Sequence, residues 1–111
     1  GVLLAIPGAS AENPMLTAAN STLETVCSRF GVPPHFLRLR VKDRAHARCR
    51  AVAALVLRRK FDMTYREIGE LLGGMNEGAT ATCATRGRSM ACREPEVGAF
   101  VAAVLRERTA A

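Results

Sequence analysis

Thr64-Tyr-Arg-Glu-Ile-Gly-Glu-Leu-Leu-Gly-Gly-Met-Asn76 is the stretch of sequence that decides the fold, because it specifies the start, the buried face and the end of a short helix. Thr64 is a good N-cap residue, and Glu67 stands three residues later, where its carboxylate can complete a capping box. Apolar side chains then recur at the spacing of one helix face: Ile68, Leu71 and Leu72. A helix is therefore predicted over residues 64–72.

A second helix is predicted directly after the paired glycines at positions 73 and 74. Glycine accepts a positive φ without a Cβ clash, so the pair can end the first helix in a tight turn. Asn76 can then cap a helix over residues 76–90. Two short helices joined by a glycine turn are how a recognition helix is presented to a DNA groove, so the pattern predicts a helix-turn-helix.

Positive charge is concentrated just upstream of this pattern. Nine of the sixteen lysines and arginines lie between Arg38 and Lys60, where Asp43 is the one acidic residue. The whole chain of 111 residues carries a formal charge of +6. A charge run alone is more often a solvated helix face, but its position before a helix-turn-helix pattern favours a nucleic-acid partner.

The rest of the chain also has helical periodicity, and no alternating strand pattern appears. Asn20 or Ser21 can cap a first helix that ends at Gly31, and Pro95 fits the first turn of a final helix. Between them we predict a single helical turn over residues 35–37 and a long, enclosed helix over residues 44–60. The predicted fold is all-α, a small bundle of about five to six helices. We assign residues 1–20 to a linker or disordered N-terminal segment and residues 21–108 to the helix-turn-helix domain.

Other classes of function find little support in the sequence. No Cys-x-x-Cys spacing links the four cysteines, which favours free, reduced thiols in a cytoplasmic protein. His35 and His46 are not at ligand spacing from a cysteine pair. The apolar run at residues 2–6 is far short of the ~20 residues needed to cross a bilayer. We expect no catalysis, cofactor, metal, membrane or small-molecule substrate, and the initial Gly1 suggests a piece of a longer chain.

Four features together resemble a known family. They are a Phe30-Gly31-Val32 turn, a basic loop before Arg44, an Ala47-Arg48-x-Arg50 helix start, and Tyr65-Arg-Glu-Ile-Gly-Glu-Leu-Leu-Gly-Gly. The segment over residues 22–86 resembles the C-terminal DNA-binding domain of the bacterial chromosomal replication initiator DnaA. The resemblance implies double-stranded DNA binding, in replication initiation or related regulation. In that family the basic loop enters the minor groove, and residues after the paired glycines read major-groove bases.

The resemblance places candidate DNA contacts along the loop, the long helix and the helix-turn-helix. These candidates are Arg38, Arg40, Lys42, Arg44, Arg48, Arg50, Arg66, Met75, Asn76, Glu77, Thr80 and Arg86. Arg40 and Lys42 are the candidates for the minor groove. Arg48 and Arg50 fall at phosphate-facing positions, and the whole set is expected to form one continuous surface with the Asn76 end of the second helix.

The recognition segment departs from the family. Where the family usually carries Arg-Asp-His-Thr-Thr, this chain has Met75-Asn76-Glu77-Gly78-Ala79-Thr80. We therefore expect base selection to be altered or relaxed. A one-residue insertion would instead align Thr80 and Arg86 with family positions, so the register after Gly74 stays open. Thr80, Thr82 and Thr85 fit either a solvated helix face or a DNA contact.

The expected partner is duplex DNA, with other domains of a longer chain as a second class of partner. The initiator family carries an ATPase module elsewhere, and this sequence has no Gly-Lys-Ser or Gly-Lys-Thr phosphate loop. The alternative is a protein-interaction or regulatory module on the same scaffold, which has lost base readout. In that case an exposed Met75 would contact an acidic protein partner.

Overall fold

The computed structural model describes residues 14–37, 39 and 43–107. These residues form six helices, which we number in chain order. They are α1 Pro14–Phe30, α2 Pro34–Leu37, α3 Arg44–Phe61, α4 Tyr65–Leu71, α5 Glu77–Arg93 and α6 Pro95–Arg106. No strand occurs within the described ranges, and the all-α prediction is confirmed.

The prediction for the start of α1 was wrong. The helix begins at Pro14, not at Asn20 or Ser21, so residues 14–20 of the predicted linker are helical. Proline is well suited to the first turn of a helix, because the amide it lacks would be unpaired there. Ala19 is fully buried on the same face as Leu23 and Val26, so the apolar face of α1 extends about one turn further toward the N-terminus than predicted.

Helix α3 is the central element, as predicted. Asp43 caps it by accepting the backbone N–H of His46 at 2.9 Å, and this hydrogen bond is the main reason that the pKa of Asp43 is lowered. The one acid of the basic run is therefore used to start the helix. Residues 51–57 are buried without interruption, because α3 packs against α1, α4, α5 and α6. Burying a single Val or Leu side chain contributes about 1.5–3 kcal/mol, so α3 holds the bundle together.

Helices α3 and α5 cross closely at Gly87. A Cβ atom at that position would lie 2.2 Å from the carbonyl oxygen of Ala51 and 3.1 Å from the Cβ of Leu55. Gly87 costs helix propensity relative to alanine, but it lets the two helices approach each other. Helix α6 follows α3 in the same direction, since Arg48 contacts Glu94 at one end and Lys60 donates to the carbonyl of Val104 at the other.

Two of the four cysteines lie inside the bundle. Cys27 of α1 and Cys49 of α3 are fully buried, and their Sγ atoms are 3.7 Å apart. Cys49 donates to Cys27, and this hydrogen bond together with burial raises the pKa of Cys49. None of the four cysteines forms a disulfide in the structure. No helix in the described part of the chain is both long and apolar enough to span a membrane.

The burial of these thiols predicts a sharp difference in reactivity. We expect iodoacetamide to alkylate the exposed Cys92 readily in the folded protein, whereas Cys27 and Cys49 should react only when the bundle unfolds. Peptide mass spectrometry after timed quenching would measure each rate, with protein in guanidinium chloride as the control in which all four sites react. Alkylation of Cys27 or Cys49 at the rate of Cys92 would contradict the packing of α1 against α3.

Candidate nucleic-acid interface

The first helix of the predicted pair is capped as the sequence indicated. The backbone N–H of Glu67 donates to the Thr64 hydroxyl at 3.1 Å, and the backbone N–H of Thr64 donates to the Glu67 carboxylate at 2.9 Å. This reciprocal pair is the predicted capping box. The observed helix, α4, is Tyr65–Leu71, with Thr64 outside it as the cap.

The turn between α4 and α5 is closed by the two predicted glycines. Gly73 and Gly74 have φ values of 94° and 86°, which side chains with a Cβ rarely adopt. The N–H groups of Gly74 and Met75 both donate to the carbonyl of Gly69, at 2.9 and 3.0 Å. Asn76 then accepts the N–H of Ala79 at 2.8 Å and caps α5, as predicted.

Two of the candidate DNA contacts in this region, Met75 and Thr80, are buried. Met75 is only 8% exposed, and Thr80 is fully buried with its hydroxyl donating to the carbonyl of Asn76 at 2.8 Å. The cause is the tightness of the turn: a Cβ on Gly69 would lie 2.1 Å from the Met75 carbonyl oxygen and 2.8 Å from the Thr80 hydroxyl. Both side chains therefore face α4 and the core, where they cannot reach a base edge.

The solvent-facing side of α5 is made of other residues. Its exposed members are Glu77, Gly78, Thr82, Thr85, Arg86, Arg88, Cys92 and Arg93, and Asn76 at the cap is also exposed. The hydroxyls of Thr82 and Thr85 donate to the carbonyls of Gly78 and Ala81, at 3.0 and 3.1 Å. These two threonines therefore present a methyl group and an acceptor oxygen outward.

Arginines from α3 and α5 share one groove. The groove has a volume of ≈ 320 Å³, and its lining residues are Ala47, Arg48, Ala51, Arg86, Ser89, Met90 and Arg93. Three of these seven residues carry a guanidinium group, and no acidic residue is among them. The structure thus brings together Arg48 and Arg86, two of the predicted contacts, although they are far apart in the sequence.

This groove lies along the C-terminal half of α5. The helix has 17 residues, which at 1.5 Å per residue is about 25 Å from end to end. Because Ala51 meets Gly87, the start of α3 lies beside the last turns of α5 and not beside Asn76. The groove therefore lies away from the Asn76 end of α5, which was expected to belong to the same surface.

A carboxylate stands next to this groove. Arg48 donates to both oxygens of Glu94, at 3.0 and 2.5 Å, and its guanidinium lies 6.0 Å from the ring centre of Phe30. The hydrogen bonds from Arg48 lower the pKa of the Glu94 carboxyl, and the charges of Arg44 and Arg93 lower it further. The same pair raises the pKa of Arg48.

The other predicted contacts are distributed over the molecule. Arg44 and Arg66 are exposed at the starts of α3 and α4, and Arg50 is half-buried. Arg38, Arg40 and Lys42 lie outside the described residues. At the far end of α3, Arg58 donates to the carbonyl of Met63 at 2.7 Å, and Lys60 donates to that of Val104 at 2.9 Å, so these cations hold the fold together.

Sequence reasoning missed two residues at or beside the groove, Arg93 and Glu94. Arg93 was overlooked because α5 was predicted to end at residue 90, whereas it continues to Arg93. The spacing of seven residues between Arg86 and Arg93, which places both on one helix face, was the available signal. Glu94 is 46 residues from Arg48, and no local pattern connects them.

Within the residues that the structure describes, no group of three or more histidine, cysteine or acidic side chains is placed to hold a metal ion. Scans against protein-family models, curated proteins and solved structures find no match to this chain.

Proposed function

We propose that this chain binds double-stranded DNA through the exposed side of α5 and the arginine groove between α5 and α3. The main observation in support of this proposal is that Arg48, Arg86 and Arg93 line one groove with no carboxylate among its lining residues. Guanidinium groups bind phosphate oxygens through two parallel hydrogen bonds, as they also bind carboxylates. The initiator-like helix-turn-helix, the role in replication or related regulation and the cytoplasmic location belong to the same proposal.

Different exposed residues suit the two parts of the duplex, the phosphate backbone and the base edges. Arg44, Arg86 and Arg93 are exposed and charged, which suits phosphate contacts that set the orientation of the protein on the duplex. Along α5, Thr82 and Thr85 offer methyl groups and acceptor oxygens, which suit thymine methyl groups and the amino groups of adenine or cytosine. Cys83 and Ala84, the residues between these threonines, carry no strong hydrogen-bond donor, which fits relaxed base selection.

Salt dependence of binding tests the proposal. Binding to a labelled duplex of random sequence would be measured by fluorescence anisotropy at several salt concentrations. The logarithm of the binding constant plotted against the logarithm of the salt concentration should have a slope of about −2.7, because the exposed Arg44, Arg86 and Arg93 each release about 0.9 counter-ion. A selection from random duplexes would then measure base preference. Absence of binding at low salt, or binding that ignores salt, would overturn the proposal.

The alternative of an acidic protein partner is motivated by the departures from the family over residues 75–79, but one of its expected contacts is buried. Met75, its expected apolar contact, is only 8% exposed. The groove itself would still accept carboxylates, so competition separates the two hypotheses. Duplex DNA should displace an acidic polypeptide such as poly-glutamate from the groove, and failure to displace it at moderate salt would favour the protein-interaction module.

A further inference from the structure

The ion pair between Arg48 and Glu94 sits between two openings on the surface. On one side is the arginine groove, which Arg48 lines together with Arg86 and Arg93. On the other is a larger cleft of ≈ 580 Å³ between α1, α3 and α6, lined by Arg29, Arg44, Arg48 and Glu94 among others. Arg48 lines both openings, so it connects the arginine groove to the cleft that contains Glu94.

Glu94 holds Arg48 in the way that a bound anion would. It engages Arg48 through both oxygens, which is the two-point geometry that guanidinium groups also use for phosphate. The positive charges of Arg44 and Arg93 also act on Glu94. Nearby, Arg29 lies 5.9 Å from the ring centres of both Phe30 and Phe100. Glu94 thus lies among cations from α1, α3 and α5, and one other carboxylate, Glu96, lines the same cleft.

We propose that the Glu94 carboxylate occupies a backbone-phosphate site made by Arg48 and Arg44, so that duplex binding exchanges this carboxylate for a phosphate. This inference rests on the proposed function. The side chains of Arg48 and Glu94 are 27% and 40% exposed, so a phosphate can approach from solvent without unfolding the helix. Partly exposed ion pairs contribute little net stability, so breaking the pair between Arg48 and Glu94 costs little free energy.

The exchange has a consequence for salt dependence. When a phosphate replaces Glu94, the phosphate releases a counter-ion while the freed carboxylate takes one up. Arg48 therefore adds little to the salt slope as long as Glu94 is charged. Removing the charge of Glu94 frees Arg48 for phosphate in the unbound protein, and the counter-ion that Arg48 displaces is then released without compensation.

The test is Glu94→Gln in the full chain. We expect the salt slope to steepen by about 0.9 and the affinity for duplex to rise by about tenfold near 0.1 M salt. Glu94 stands at the N-cap position of α6 without a side-chain capping bond, so the substitution removes no cap, and circular dichroism would verify the fold. The control is Glu70→Gln, an exposed residue of α4 with the same change in charge.

A second variant ties the effect to Arg48. In the Glu94→Gln background, Arg48→Gln should return the slope to the wild-type value, because the phosphate contact is lost with the guanidinium group. If wild-type protein shows no salt-dependent binding, the proposed function itself fails. If wild-type protein binds with the expected slope but Glu94→Gln behaves like Glu70→Gln, or Arg48→Gln leaves the steeper slope intact, only this inference is overturned.

Discussion

Replacing Gly87 by alanine should lower the free energy of unfolding by about 2–3 kcal/mol, as expected when an added methyl overfills a close helix crossing. Alanine would ordinarily stabilise a helix by about 1 kcal/mol relative to glycine. Here the new Cβ would lie 2.2 Å from the backbone oxygen of Ala51. A backbone carbonyl cannot turn away as a flexible side chain can, so α3 and α5 must separate and their buried contacts loosen.

Gly78→Ala is the matched control on the same helix. The nearest neighbour of an added Cβ there is the Asn76 side-chain oxygen at 3.5 Å, an ordinary contact distance. We expect this variant to be as stable as the wild type or more stable by up to about 1 kcal/mol. Urea denaturation followed by circular dichroism would compare the three proteins. Equal stability of the two variants would mean that α3 and α5 do not cross as closely as the structure has them.

The second large effect concerns the arginine groove. The double variant Arg86→Gln with Arg93→Gln should reduce the salt slope for duplex binding by about 1.8, because two phosphate contacts are removed. At about 0.1 M salt the same loss weakens binding by between one and two orders of magnitude. Both residues are exposed, so the fold should be unaffected. Anisotropy titrations at several salt concentrations would give the slope and the affinity together.

A charge-matched double variant tests whether DNA binding depends on the groove or only on the overall charge of the protein. Arg59 and Arg106 are also exposed, and they lie near the C-terminal ends of α3 and α6, away from the Arg48 end of the bundle. Replacing both by glutamine changes the net charge equally. We expect a change in slope well below 1 for this control. If the two double variants weaken binding alike, DNA responds to the overall charge and the groove is not its site.

Much of the fold could be predicted because its signals are local. The capping box joins Thr64 to Glu67 and the α5 cap joins Asn76 to Ala79, each over three residues. The continuous apolar composition of residues 51–57 likewise indicated that α3 is enclosed on all sides. Such features depend on neighbours along one helix or turn, so a single sequence contains them.

The candidate site was predicted less well, because it depends on where helices cross. Arg48 and Arg86 were named from sequence, but their common groove exists only because Gly87 brings α5 against Ala51. Met75 and Thr80 were assigned to DNA because they follow the paired glycines. They are buried because the same turn packs against Gly69, a contact that periodicity does not show.

The sequence by itself determined that this chain is a helical bundle with a capped, glycine-hinged helix pair and a strongly basic long helix. Caps, periodicity and charge are properties of residues within a few positions of one another. Only the tertiary structure decided which arginines face a common groove, which hold the fold together and which one is neutralised by Glu94. Those outcomes depend on the distance between side chains some 40 residues apart, and that distance is set by the packing of α3 against α5 and α6.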